Sequence, residues 1–481
     1  MDNKKEELRR KAEQPSKDAM RLHPFYRGKI ETTLKCPVWG MPAFDVWYTP
    51  GVAAPCLDIK RHPEKVFEHT NKGNFVAVVS DGTRVLGLGD IGPEAALPVM
   101  EGKALLYKYL GGVDAFPICL DTKDPDKFIE TVLLLQPSFG GINLEDIAHP
   151  KCFKILDTLR QKARIPVWHD DQQGTATVLL AGLINALALV SKEIKEIKVA
   201  MVGAGASGIR TAHLIIAAGA DPGNIVMCDS RGTLHRNRTD LVERYTEKWA
   251  IAQITNRGNL EGAIPDAMTK ADVLIALSQP GPDVIRKEWI EGMAEDPIVF
   301  VCANPIPEIY PWDAKEAGAR IVGTGRSDFP NQINNSLGFP GIFRGTLDVG
   351  AKTITDEMCI AAAEELAKYA RDKGIHEDYI IPTMEEWEVF AREATAVGMM
   401  AIKQGIARKR ITRKHLYEMA SSKIMRARKE TQLLVNEGLI PMPPACAPRL
   451  LPAMCRERGP VSATYQRGVL RKGRPGDGGS G

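Results

Sequence analysis

The sequence predicts an α/β protein: two successive series of parallel strands with covering helices, then C-terminal helices and a disordered tail. Three observations predict it. Short apolar runs alternate with helix-length stretches from Phe75 onward, and a glycine-rich turn, Gly203-Ala204-Gly205-Ala206-Ser207-Gly208, follows one of those runs. After Pro441 the periodicity lapses and the chain turns rich in Pro, Arg and Gly.

Residues up to about Ile30 are polar and helix-prone, the pattern of an arm or a dimer contact rather than of a core. FVAVVSDG then reads as a strand, 103–110 as a helix, DAFPICLDT as a strand, KFIETVLLLQ as a helix, and FGGINLED and IPVWHDD as strands. Ligands normally sit at the carboxyl ends of such strands. The helix-like stretch 175–190 leads to a second series, IKVAMV, NIVMCDS, ADVLIALS, IVFVCANP and RIVGTG, which places His169-Asp170-Asp171 near a cleft between the two. EMCIAAAEELAKYAR and AREATAVGMMAIKQGIA read as helices packing back on the body. The expected divisions are 1–173, 174–352, 353–441 and the tail 442–481.

The glycine run lies between a strand and a helix, where glycines permit a tight turn and close approach of backbone to a pyrophosphate held at the helix N-terminus. This makes the second series a Rossmann-like dinucleotide-binding domain, with Gly203, Ala204, Gly205, Ala206, Ser207 and Gly208 as candidate cofactor contacts. Asp229 ends the next strand, where a carboxylate accepts ribose hydroxyls or simply caps the strand. Asp229 favours NAD, whereas Ser230 and Arg231 suit the 2′-phosphate of NADP, so both cofactors stay open.

Composition narrows the partners. Lys and Arg total 63 against 60 Asp and Glu, a net charge of +3, which leaves no global field for nucleic acid or an anionic membrane. The nine cysteines form no C-x-x-C pair, as expected in a reducing compartment. The opening MDNKKEELRRKAEQ lacks the apolar core of a secretory signal, and the longest apolar stretch, 178–190, falls short of the roughly 20 residues that span a bilayer. A cytoplasmic protein acting on a small anionic substrate is expected.

Glu145-Asp146 and Asp170-Asp171 offer hard oxygen ligands that suit Mg²⁺ or Mn²⁺, although adjacent acids alone also make a solvated loop edge. Lys103 opens an apolar helical run, where desolvation and the positive helix end would lower its pKa; the plain alternative is a surface lysine laying its stem on apolar neighbours. Tyr48, before the turn Thr49-Pro50-Gly51, is a phenol at a cleft edge or an aromatic core residue. Asn304, Asn334 and Asn335 supply neutral amides or ordinary turns, and Arg84 is suited to clamp a carboxylate.

Six segments, WYTPGVAAPC, LPVMEGKALLYK, GINLEDIAHP, VWHDDQQGTATVLLAG, ANPIPEI and NQINNSLGFPGIF, occur in this order with GAGASG between the fourth and fifth. On them the sequence resembles the malic enzymes in their shorter prokaryotic form, from about Lys35 to Pro441. The resemblance makes 1–173 a malic domain and implies oxidative decarboxylation of (S)-malate to pyruvate and carbon dioxide with NAD or NADP, dependent on Mg²⁺ or Mn²⁺, together with decarboxylation of oxaloacetate. It assigns Glu145, Asp146 and Asp171 to the metal, Asp170 to the neighbouring catalytic network, and Lys103 as the base that takes the substrate hydroxyl proton. Tyr48 becomes the acid that protonates the enol at carbon three. Asn304 and Asn335 fall beside substrate and cofactor, and Arg84 on a substrate carboxylate. A homodimer or higher homo-oligomer is also implied, in which a neighbouring subunit can complete the active site. Gln173 stands where short relatives often carry histidine, and His169 and His149 are expected to be structural.

Overall fold

The computed structural model describes residues 2–443, with side chains from residue 13. The expected disordered tail lies outside the described residues from 444 onward. Contacts divide the chain into two compact units, Gly28–Glu430 and a smaller one made of Met1–Arg27 and the stretch from Thr431. In the smaller unit the helix Asp2–Tyr26 matches the polar N-terminal pattern, and Tyr26 Oη donates to the carbonyl of Pro441 at 2.9 Å.

The larger unit holds both strand series. The first forms a four-stranded parallel sheet of β1 (Phe75–Ser80), β2 (Asp114–Cys119), β3 (Gly141–Leu144) and β4 (Val167–His169), in the order β2-β1-β3-β4. Phe75 lies opposite Asp114, and Val76 opposite Gly141. Strands buried on both faces lose the polar alternation of half-buried strands, which is why FVAVVS and GINL read as continuous apolar runs.

The second series forms a six-stranded sheet in the order β10-β9-β8-β5-β6-β7. Its strands are β5 (Val199–Val202), β6 (Ile225–Asp229), β7 (Gly232–Thr233), β8 (Val273–Ala276), β9 (Ile298–Val301) and β10 (Ile321–Thr324). All pairings are parallel except that of β6 with β7, a two-residue strand too short for the sequence pattern to register. The strand order reverses about β5, whose neighbours are β6 and β8, and the carboxyl ends of β5 and β8 are where sheets of this kind normally take a ligand.

Between the sheets runs the helix Thr175–Leu189, preceded by a wide helical turn, Asp170–Gly174. Together they make 20 helical residues long and apolar enough to cross a membrane, more than the sequence estimate because the turn adds length at the front. With 78% of the most apolar window buried, this is the pattern of a core helix. The helix Phe339–Val349 is buried along its length and lies tight against Glu388–Lys403, where a Cβ on Gly345 would come within 2.2 Å of the Ala394 carbonyl. The helices Asp356–Lys373 and Glu388–Lys403 match the expected C-terminal pair, and a further one, Arg413–Asn436, buries Leu416, Ala420, Ile424 and Ala427.

Candidate active site

The site begins where two strands of the first sheet end. β3 stops at Leu144 and delivers Glu145 and Asp146, while β4 stops at His169 and delivers Asp170 and Asp171 on the following turn. β3 and β4 are neighbours, so acids distant in the chain emerge side by side. One oxygen each from Glu145, Asp146 and Asp171 lies within 4.8 Å of the others. Asp146 holds a left-handed backbone, φ 54°, which is uncommon outside glycine and marks a conformation that its surroundings impose. Its amide donates to Asp171 Oδ2 at 2.9 Å and its carbonyl accepts from Arg84 N at 3.0 Å.

Lys103 reaches this cluster from the middle of the helix Pro93–Gly111, with Nζ 3.0 Å from Glu145 Oε1 and 2.5 Å from Asp170 Oδ2. It is buried, and Nζ sits 4.3 Å from the centre of the Phe339 ring. Two expectations about it are corrected. Lys103 is mid-helix, so the positive helix end does not act on it. Burial would lower its pKa, but the carboxylates of Asp170 and Glu145 outweigh that and hold the ammonium above its ordinary value. Conversely, burial and the neighbouring acids push Glu145 and Asp146 well above the usual carboxylate range, and Asp170 and Asp171 are raised too.

Three supporting side chains were missed from sequence. Tyr107 Oη donates to Asn143 Oδ1 at 2.9 Å, and Asn143 Nδ2 donates to Glu145 Oε2 at 2.8 Å, so a buried chain of hydrogen bonds orients Glu145. Tyr107 lies one helical turn beyond Lys103, and that spacing was the available signal. Trp168 Nε1 likewise holds Asp170 Oδ1 at 3.1 Å. Burial lowers His169 to about 4, leaving a neutral ring among acids. Gln173 uses its side-chain oxygen to accept from the His169 amide at 3.1 Å.

Asn335 is beside this group: a Cβ on Gly174 would meet Asp170 Oδ1 at 1.9 Å and the Asn335 side chain at 3.2 Å. Asn334 is spent locally, capping Ser336 N at 3.0 Å and donating to the Gly325 carbonyl at 2.9 Å. Asn304 Nδ2 lies against Gly325 in turn, 2.8 Å from where a Cβ would be. Arg84 is exposed at the rim, and its charge favours the ionised Asp171. Tyr48 is different. It closes the short helix Met41–Trp47 and is 71% exposed, and among the described residues no hydrogen bond or ion pair joins it to the acid cluster.

The glycine turn follows β5. Gly203 has φ 112°, and a Cβ there would strike the Leu277 carbonyl at 2.3 Å. A Cβ on Gly208 would strike the Gly203 carbonyl at 1.9 Å, so this glycine lets the helix Ala206–Ala217 close on the strand. Gly205 has open space in the direction of its missing side chain, room that a pyrophosphate needs. Gly205→Val is therefore expected to shift the thermal midpoint by no more than about 2 °C while weakening dinucleotide binding at least about tenfold by titration calorimetry; unchanged affinity would remove the turn from the site.

Glu308, inside ANPIPEI, is a fourth residue that sequence did not single out. Its carboxylate accepts from Ser278 N at 2.9 Å and Ala303 N at 3.0 Å, tying together the loops after β8 and β9 beside Asn304. Burial pushes its carboxyl up to about 7 against the pull of these donors. Glu308→Gln turns one acceptor into a donor facing an N–H. The expected cost is about 1–3 kcal/mol of stability, with a rise in the cofactor KM larger than the fall in kcat, and denaturant titration with steady-state kinetics checks both.

Comparison with known proteins gives the family. Residues 28–160 match the family model "Malic enzyme, N-terminal domain", and residues 172–402 match "Malic enzyme, NAD binding domain". The chain belongs to the malic enzyme family. A bifunctional malic/malolactic enzyme of Bacillus subtilis is 51% identical over 391 residues, 81% of this chain and 94% of the relative. An NAD-dependent malic enzyme of Geobacillus stearothermophilus is 51% identical over 79% of this chain and 78% of its own length. The crystal structure of Entamoeba histolytica malic enzyme superposes with TM-score 0.87 at 53% identity, covering 88% of this chain and 89% of that one. As a malic enzyme the chain oxidises and decarboxylates malate with a nicotinamide dinucleotide, and the α/β architecture expected from sequence is the family's.

Proposed function

We propose that Glu145, Asp146 and Asp171 hold one divalent cation, Mg²⁺ or Mn²⁺, and that malate is oxidised and decarboxylated beside it. The observation that carries this is the convergence of three carboxylates within 4.8 Å, one of which, Asp146, has a buried oxygen with no hydrogen-bond partner. An all-oxygen donor set fits a hard cation. When bound, the cation would polarise the substrate hydroxyl, stabilise negative charge on the keto oxygen as the C–C bond breaks, and offset the acids that keep Lys103 charged.

Lys103 gives its proton to Asp170, 2.5 Å away, and takes the hydroxyl proton from malate as hydride passes from carbon two to the nicotinamide. Asn304 and Asn335 orient substrate and cofactor, and Arg84 holds a carboxylate. After carbon dioxide leaves, Tyr48 protonates carbon three and recovers its proton from Lys103. Asp170 then returns its proton to Lys103, so the hydroxyl proton ends on pyruvate and both side chains regain their starting charge.

On this reading Tyr48, exposed and, among the described residues, without a hydrogen bond to its own chain's acids, serves the cluster of a second chain. It lies in a segment of exposed apolar side chains, with Leu34 80%, Trp39 87%, Met41 71% and Trp47 52% exposed, a concentration typical of a surface awaiting a partner. A homodimer in which each chain lends Tyr48 to the other accounts for both facts. Mixing Tyr48→Phe chains with Lys103→Met chains, each inactive alone, is expected to recover about a quarter of wild-type activity, because half the dimers are mixed and one of their two sites is intact. No recovery would refute the shared site.

We take 1–173 as the substrate and metal part and 174–352 as the dinucleotide part, and place the protein in the cytoplasm, away from membrane and nucleic acid; the seven described cysteines, all free, support a reducing compartment. The overall reading is tested by malate with Mn²⁺ and NAD or NADP, following absorbance of the reduced cofactor and pyruvate formed. Reduction without pyruvate, or neither, refutes it.

A further inference from the structure

At the carboxyl end of β6 the side chain expected to read the ribose is already engaged. Asp229 Oδ1 accepts from Arg231 N at 2.9 Å and Arg238 Nη1 at 3.2 Å, while Oδ2 accepts from Arg238 Nη2 at 3.2 Å and Lys248 Nζ at 3.0 Å. A carboxylate has about four acceptor sites, so a ribose hydroxyl could enter only by displacing a charge-assisted hydrogen bond. The Asp229 side chain is also just 8% exposed.

The cations that engage it are fixed from behind. Arg238 holds Asp240 through Nε at 2.8 Å, and Lys248 Nζ lies 4.8 Å from the centre of the Tyr245 ring. Arg231 stands at the front, its side chain 71% exposed, touching Asp240 through Nη1 at 3.2 Å. Three cations therefore face two carboxylates, and the exposed member is a planar fork. Such a surface gives a neutral 2′-hydroxyl nothing that water does not, whereas a 2′-phosphate meets net positive charge and a bidentate donor.

We infer that this chain selects NADP over NAD, with Arg231 taking the 2′-phosphate and Arg238 and Lys248 neutralising the aspartate that would otherwise repel it. The inference rests on the oxidoreductase reading above. Overall similarity does not decide it, since relatives at 51% and 42% identity are named NAD-dependent and NADP-dependent respectively.

The test is titration of the purified full chain with NADPH and with NADH, by calorimetry and without malate or metal, alongside kcat/KM for NADP and NAD with malate and Mn²⁺. NADPH is expected to bind at least about tenfold tighter, and Arg231→Ser to shrink that ratio at least about fivefold, mostly through KM. Equal or tighter binding of NADH would overturn the inference, as would a ratio that Arg231→Ser leaves unaltered. Asp229→Asn adds a second arm: loss of NADH binding exceeding loss of NADPH binding would put the carboxylate on the ribose after all. Because binding is read without turnover, a failure to oxidise malate would strike the oxidoreductase reading and leave this preference measurable.

Discussion

Asp171→Asn is expected to lower malate oxidation by at least about a thousandfold and to remove oxaloacetate decarboxylation with it, since under the proposed assignment both steps would draw on one cation to stabilise charge on oxygen. The substitution keeps shape and volume. It also keeps an oxygen able to accept the Asp146 amide, a bond of 2.9 Å in the wild type, so the backbone at residue 146 has reason to stay as it is. What changes is one anionic donor among three. Manganese affinity by calorimetry should fall alongside both activities, while the circular dichroism spectrum and NADPH titration should not move. Either activity persisting at wild-type metal affinity would dissolve the assignment.

Lys103→Met should stop malate turnover comparably, again by at least about a thousandfold, while keeping an unbranched side chain of similar length beside the Phe339 ring that Nζ faces in the wild type. Its second effect is on stability. Burial and mutual repulsion raise the folded-state pKa values of Glu145, Asp146, Asp170 and Asp171, so the native protein binds these protons more tightly than the unfolded chain does. An acid with a raised folded pKa leaves stability intact below its ordinary range and withdraws it as pH climbs toward the folded value. Lys103 is in contact with two of these carboxylates and limits the loss. Metal-free Lys103→Met protein should therefore lose more stability than wild type between about pH 5 and pH 8, and Mn²⁺ should restore it, because the ion replaces the missing positive charge. Denaturant midpoints across that range check the sign; a variant more stable at pH 8 than at pH 5 would reverse the argument.

Much of this was legible beforehand for one reason. Parallel strands covered on both faces carry apolar runs, so nine of the ten strands announced themselves and the acids that follow two of them were already at strand ends. What escaped depended on partners far along the chain. The charge of Lys103 is set by Glu145 and Asp170, which no local pattern around residue 103 contains. Asp229 has the right position for a ribose, yet its carboxylate is claimed by Arg238 and Lys248 from beyond β7. Glu308 lay inside a motif already noticed, but its two amide partners come from different strand ends. Tyr48 reads from sequence as a phenol at a cleft edge or an aromatic core residue; at 71% exposed it is not a core residue, and that exposure is what points to a second chain.

One small residue sits where segments of the two strand series meet. A Cβ on Gly87 would fall 2.1 Å from the Pro280 side chain and 2.5 Å from the Asn304 carbonyl. The turn carrying Arg84 thus rests directly on the loops that follow β8 and β9. Hydride transfer depends steeply on the gap between the carbon that gives and the carbon that receives, and a bulkier residue at 87 would push this turn away from the Pro280 ring and the Asn304 carbonyl. A single methyl group at residue 87 would work as a spacer, slowing the reaction without touching either reactant.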